Sequence, residues 1–566
     1  MKPDNNSKLT ATNIEEKIEQ IFQSGGQSGT SASLDDTVLQ DLYQTLYHGD
    51  EAIMERTWHR LAQRYPLIEQ SADTAPAASD ARTVITFPQP ETYRPQPTPK
   101  RPPQRTKTRT LSILMLVAAC LLIIGGSLIL FTQYQKPTQP AAPPQKGPLQ
   151  FFDRQGKLIY QVDSHNKVTV GMTPLTRDFI NYSLDELAAD LHVKRGDLPT
   201  MGLKVTTTLD MQLQTQAYQK AQQTIATTSQ THEIGDASAI VLDYHDGSIH
   251  ALFGNLNTQQ SSYNVATQHP RLLGSIFKPI TYLTAFEQGI SPGEIVDDAQ
   301  QSFPSSDTDN TPYTPYDYGM TFSNTWMSYR TALQSNSNVP AVQILTRTKL
   351  GPLVKKAQAL GLHTPPAQDT GYAAALGIFE DTVLNATTAY GTIANQGVAV
   401  TPHTIDHVND SNGRIRYQAP HAGKRILKPG TAFMLTDILS DQQANSEIYG
   451  QCNPTLLYST SQEQCQAAQP GNIRPAAVET GVNDNFKDTW TVGYTTDYVV
   501  GVWAGNDNAR PLLKIIATDG ASQIWHDTIQ LAEQGLPIKQ FPGPPSDVVK
   551  KTATSHGVTT TDWYLK

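Results

Sequence analysis

At 566 residues the chain is too long for one ordinary core, so two or more folded regions joined by linkers are expected. Apolar residues make up 38% and charged residues 17%, as in a globular protein with extended polar stretches. The net charge of −9 argues against a nucleic-acid partner, because phosphate neutralisation needs a clustered basic face and the large C-terminal part has none.

Residues 1–82 hold two helix-like stretches, around 14–22 and 34–63, the second with apolar spacing at Leu39, Leu42, Leu46, Ile53 and Leu61. They predict a small cytoplasmic helical module. Residues 83–110 form a Pro-rich basic linker that carries Arg94, Lys100, Arg101, Arg105, Lys107 and Arg109. Next, within 111–132, LSILMLVAACLLIIGGSLILF contains no charge and has the length that a helix needs to cross a bilayer. The basic flank before it, against only Lys136 and Lys146 beyond, predicts a single pass with the N-terminus cytoplasmic and the rest outside the cell membrane. More than a hundred residues precede this run, which argues against a cleaved signal peptide. A second Pro-rich spacer occupies 133–147. Of three cysteines, Cys120 lies in the span, whereas Cys452 and Cys465 fall on the outer side, where oxidation is permitted; a disulfide between these two is expected.

Beyond the spacer, PLQFFDRQGKLIYQV alternates and turns at Gln155-Gly156, as a β-hairpin does. The stretch 209–224 has helical spacing with Asp210 as its cap. SAIVLDYHDGSIHALFG reads as two strands around Asp246-Gly247. Helices and loops then alternate until Trp490, where WTVGYTTDYVVGVWAGN again reads as two strands folded back on each other. Strands at both ends with helices between them predict an α+β domain whose antiparallel sheet is built from distant segments.

The chemistry begins in RLLGSIFKPITYLTAFEQG, where Ser275 and Lys278 stand three apart at the start of an apolar-periodic helix, on one face. A serine hydroxyl is a poor nucleophile until a base takes its proton. A lysine amine can do so when burial and dipoles lower its pKa, and a helix N-terminus favours the oxyanion that follows. Spacing alone is weak evidence, since Ser164 and Lys167 match it inside a surface turn.

Context separates the two. RLLGSIFKPITYLTAFEQG, preceded by SYNVAT, closely resembles the acylation-site segment of the transpeptidase domain in bifunctional (class A) penicillin-binding proteins. The resemblance continues in order through YTPYDYGMTFSNTWMSYRTAL, NVPAVQIL, AYGTIANQGVAVTPHTI, KDTWTVGYTTDYVVGVWAGN and GASQIWHD, covering 148–544, with 545–566 as a C-terminal tail. It implies the penicillin-binding, serine-transpeptidase fold: an antiparallel sheet flanked by helices, plus a helical lobe.

The family's site uses Ser-x-x-Lys, Ser-x-Asn and Lys-Thr-Gly. Carried over, Ser275 is the acylated nucleophile and Lys278 its proton acceptor. In TALQSNSNVPAV, Asn338 falls on the family's asparagine but Asn336 on its serine, so an amide that cannot relay a proton replaces a hydroxyl. Ser335 and Ser337 stay open as substitutes after a local shift. In PAAVETGVNDNFKDTW, Glu479 stands at the lysine position while Thr480 and Gly481 remain. That lysine would offer a positive charge to a stem-peptide or β-lactam carboxylate. At an effective dielectric near 20, attraction of about 4 kcal/mol becomes repulsion of similar size. Protonated, Glu479 could donate a hydrogen bond; ionised beside Lys278, it could form an ion pair that disarms the base. Thr480 would keep its hydroxyl for a substrate carboxylate, and the oxyanion hole would use the N–H groups of Ser275 and Val482. Two changes in three motifs leave two readings open: changes tolerated by this branch of the family, or reduced or absent cross-linking with the fold retained.

Fourteen histidines show no metal-like spacing, Asp307 and Asp309 resemble a calcium loop only loosely, and no cofactor is expected. Fewer than twenty residues separate Phe131 from Pro148, which leaves no room for a glycosyltransferase domain between span and transpeptidase. Any cross-linking would therefore act on strands made by a separate glycan-polymerising protein. The resemblance implies a membrane-anchored D,D-transpeptidase that takes peptidoglycan stem peptides and β-lactams. The alternative is a catalytically inactive cell-wall binding, sensing or scaffolding module.

Overall fold

The computed structural model describes residues 147–566 except 257–262, 305–311, 318–321, 367–369, 459–472, 484–485 and 517. The helical module expected at 1–82, both Pro-rich linkers, the span at 111–132 and the Asp307/Asp309 loop lie outside the described residues. So does Cys465. Cys452 is disulfide-bonded, with its partner also outside them. No described helix is long and apolar enough to cross a membrane.

The core is a five-stranded antiparallel sheet flanked by helices, the α+β arrangement expected from hairpins at both ends of the domain. Helix α1 (Met211–Thr231) starts where the Asp210 carboxylate accepts the N–H groups of Gln212 and Leu213. It leads into β1 (Asp236–Leu242) and β2 (Ile249–Phe253), joined by the tight turn at Asp246-Gly247. The helical lobe then supplies α2 (Lys278–Glu287), α3 (Tyr329–Gln334), α4 (Asn338–Thr348), α5 (Val383–Ala394), α6 (Pro429–Leu439) and α7 (Gln442–Tyr449). The chain returns to the sheet as β3 (Ala477–Val482), β4 (Asp488–Tyr494) and β5 (Val499–Gly505), and closes with α8 (Ala521–Ala532). Strand order is β3-β4-β5-β1-β2, which leaves β3 at an edge.

Strand periodicity sorts the sheet's two faces. Ala239, Val241, Val500 and Val502 pack under α1 and α8 with Trp525. Ile240, Leu242, Trp490 and Val492 pack against α2, α5 and α6. With both faces covered, every residue of β1, β4 and β5 is buried.

Two parts of the fold go beyond the sequence reading. The hairpin Leu149–Phe152/Leu158–Val162 belongs to a six-stranded sheet that also takes Lys204–Thr207, in parallel with the first strand, and Ile405–Asn409 and Ile415–Gln418 from far along the chain. The residues expected as a tail form a hairpin, Val548–Ser555 with Val558–Leu565. It is tied to the helical lobe by Arg330, whose guanidinium donates to Asp562 at 2.7 Å and to Asp437 at 2.6 Å.

Candidate active site

Ser275 lies in a single 3-10 turn, Gly274–Phe277, that runs into α2. Three neighbours fix the turn. Gly377, at φ +82°, packs so closely that an added Cβ would stand 2.1 Å from the Gly274 carbonyl oxygen. Tyr390 of α5 donates its hydroxyl to the Ile276 carbonyl at 2.7 Å, and the Trp490 indole donates to Leu272 at 2.8 Å. On the sheet side, a Cβ on Gly481 would meet the Ile276 nitrogen at 3.1 Å and the Ser275 nitrogen at 3.3 Å, so this glycine lets β3 lie directly against the serine turn. Ser164 and Lys167, by contrast, sit in an exposed turn between two strands.

Lys278, one turn on, is 1% exposed. Its ammonium donates to the main-chain carbonyl of Asn336 and, at 2.5 Å, to that residue's side-chain oxygen. Asn336 stands in the bend between α3 and α4 at φ +58°, a left-handed conformation that asparagine tolerates better than most residues. Its amide nitrogen in turn donates to the Thr480 carbonyl at 3.2 Å. Asn336 therefore bridges the lysine to the sheet edge.

That last bond also orients the edge. Antiparallel pairing turns both main-chain groups of a residue to the same side, and sides alternate along the strand. Since the Thr480 carbonyl faces Asn336, away from β4, the Val482 N–H points to the same open edge, beside half-buried Ser275. The two proposed oxyanion donors are thus brought to one place.

Of the two serines left open by the sequence, neither meets Lys278. Ser335 donates to the Thr331 carbonyl at 2.9 Å, and Ser337 is buried, 3.4 Å from Asp298. Asn338 is held elsewhere too: its main-chain N–H donates to Asp317 at 2.6 Å and its side-chain amide to the Tyr316 carbonyl at 2.5 Å. The Thr480 hydroxyl is buried, and the residue shares a small space with Tyr449 and Asn445 of α7.

Glu479 is 4% exposed. Burial pushes its carboxyl up to about 8, against the pull of the Lys278 charge and of the Thr480 N–H, which donates to it at 3.2 Å. Near neutral pH the group is therefore largely a neutral acid. Two further acids were missed in the sequence. Asp317 is raised by burial, with the Asn338 N–H and the Lys278 charge acting the other way, and Asp298 is fully buried. Asp317 lies within YTPYDYG, where an acid in a segment of the family match was a readable signal; Asp298 stood out in nothing local. Among the described residues, no three metal-ligating side chains are grouped to hold an ion.

Known proteins carry related sequences and folds. Residues 237–506 match the family model of the penicillin binding protein transpeptidase domain. Penicillin-binding protein 1A of Neisseria lactamica is 27% identical over 311 residues, 54% of this chain and 37% of that protein. Penicillin-binding protein 2D of Bacillus subtilis (strain 168) is 25% identical over 373 residues, 65% of this chain and 50% of that protein. The chain spans half or less of the length of these relatives. The fold is similar to penicillin-binding protein 1A from Haemophilus influenzae, with a TM-score of 0.56 and 16% identity over 71% of this chain and 77% of that one. It is also similar to PonA1 from Mycobacterium tuberculosis in complex with penicillin V, with a TM-score of 0.54 and 22% identity over 65% of this chain and 96% of that one.

Proposed function

Residues 237–506 are a penicillin-binding protein transpeptidase domain, and from that premise we propose that the chain takes peptidoglycan stem peptides, and the β-lactams that imitate them, at the edge of β3, with Ser275 as a slowly acylated nucleophile. One observation carries the reading: the Ser275 turn lies directly against Gly481, with the Val482 N–H on the same open edge and Lys278 tied to that edge through Asn336. In the reaction, the Ser275 oxygen bonds to the penultimate D-alanine carbonyl as the bond to the terminal D-alanine nitrogen breaks. The serine proton must reach that leaving amine. An amine on a neighbouring stem then takes the acyl group and frees the serine.

Proton transfer is the weak step. An ammonium that gives its protons to two oxygens of Asn336 is a poor acceptor, and the asparagine cannot pass a proton on. Glu479, as a neutral acid, supplies no charge for a substrate carboxylate. The same observations favour a second reading, a cell-wall binding or scaffolding module that no longer acylates. In both, the apolar run within 111–132 anchors the domain outside the cytoplasmic membrane, residues 1–82 remain inside, and a separate protein polymerises the glycan. The disulfide partner of Cys452 in this reading is Cys465.

Fluorescent penicillin labelling separates the two. Slow, saturable labelling that disappears in Ser275→Ala supports the enzyme; a folded protein that never labels leaves the scaffold.

A further inference from the structure

Away from Ser275, a cavity of about 440 Å³ opens between α5, α6, the segment 540–545 and Trp563 of the C-terminal hairpin, a size typical of small-ligand sites. Its apolar wall is made by Phe433, Phe541 and Trp563. These rings are held rigidly, Phe433 edge-on to Trp563 at 5.2 Å and Phe541 edge-on to Tyr494 at 5.8 Å. Among the described residues Asp437 is the one charged side chain in the lining, and it is already neutralised: its carboxylate accepts from Arg330 at 2.6 Å and from the Trp563 indole at 3.2 Å.

Of the polar remainder, the Thr436 hydroxyl is bonded to the Ala432 carbonyl and to Tyr494, and the rest is uncommitted. The side-chain amides of Gln396, Gln442 and Gln540 and the Ser440 hydroxyl line the cavity and make no hydrogen bond among the described residues. Each amide brings two donors and an acceptor. Gln396 and Gln540 reach solvent at the rim and Gln442 is half-buried, so a hydrocarbon occupant would leave these amides unused, and a charged one would find no unpaired counter-charge. The lining suits a neutral ligand with apolar faces for the rings and hydroxyl or amide groups around its rim.

We propose that this cavity is a subsite for a neutral N-acetylated amino sugar of the glycan strand whose stem peptides address Ser275. Naming the sugar rests on the peptidoglycan reading above; the neutral, hydroxyl-rich character of the ligand does not. Helix α6 connects the two places. Phe433, Thr436, Asp437 and Ser440, at helical spacing, face the cavity, while Ile438 and Leu439 back onto Val478, Glu479 and Thr480.

The test is calorimetric titration of the full-length chain with peptide-free N-acetylglucosamine tetramer. Saturable binding is expected, unaffected by saturating penicillin and weakened about fivefold by each of Gln396→Ala and Gln442→Ala at unchanged melting temperature. Trp563→Ala also removes a core contact, so the glutamine variants carry the result. No saturable binding, equal affinity in both glutamine variants, or preference for a proline-rich peptide over the sugar would overturn the assignment. Sugar binding in protein that takes no penicillin supports the subsite and counts against the acylation reading alone.

Discussion

The two walls around Lys278 differ in what they keep. The serine wall is set by backbone contacts: Gly377 approaches the turn too closely for any side chain, Gly481 lies tightly against it, Tyr390 holds the Ile276 carbonyl, and Trp490 holds the Leu272 carbonyl just before the turn. The facing wall is set by side chains, and there both altered residues stand without disturbing the fold. Asn336 still links Lys278 to the sheet edge, and Glu479 fills its buried place as a neutral acid. The packing around the Ser275 turn thus stands apart from the residues at the two altered motif positions.

The comparison breaks most readily on the serine wall. Gly377→Ala, at positive φ and with the new Cβ on the Gly274 carbonyl, should destabilise the domain by roughly 2–4 kcal/mol, read as a lowered urea midpoint. A change below about 0.5 kcal/mol would mean that the turn is not fixed there.

On the facing wall the expected effect is smaller and depends on pH. The Glu479 carboxyl is raised from 4.5 to about 8 by burial, so between those values the folded protein holds a proton that the unfolded chain has released. This group's contribution is therefore full at low pH and falls as pH rises through that window. Glu479→Gln should remove the fall, gaining roughly 1–3 kcal/mol at pH 8 relative to its effect at pH 5. Parallel stability curves for variant and parent would show that the carboxyl titrates normally.

Ser335→Ala should matter least. Among the described residues its hydroxyl bonds only to its own helix and to Ser337, so labelling and stability should stay within about 0.5 kcal/mol of the parent. A loss of penicillin labelling would instead make Ser335 a proton carrier.

Local signals account for what was legible in the sequence. The Asp210 cap, the Asp246-Gly247 turn and the alternation around Trp490 each act within a few residues, and each stands where expected. The six-stranded sheet was not legible, because it pairs Lys204–Thr207 with Ile405–Asn409 through no nearby cue. The C-terminal hairpin had one, the turn at His556-Gly557 between alternating threonines. In the site, motif position gave Ser275, Lys278, Asn336 and Glu479. It could not give the side to which each residue turns: Asn338 bonds to Tyr316 and Asp317, and the Thr480 hydroxyl is buried.

On the proposed reading, the wall bearing Asn336 and Glu479, and not the serine turn, limits acylation. The most direct measurement is the second-order rate constant for β-lactam acylation in the parent and in Asn336→Ser/Glu479→Lys, with the adduct located by mass. A gain of at least about tenfold, some 1.4 kcal/mol, is expected, with all adduct on Ser275. Equal rates in the two proteins, or an adduct on another residue, would contradict it.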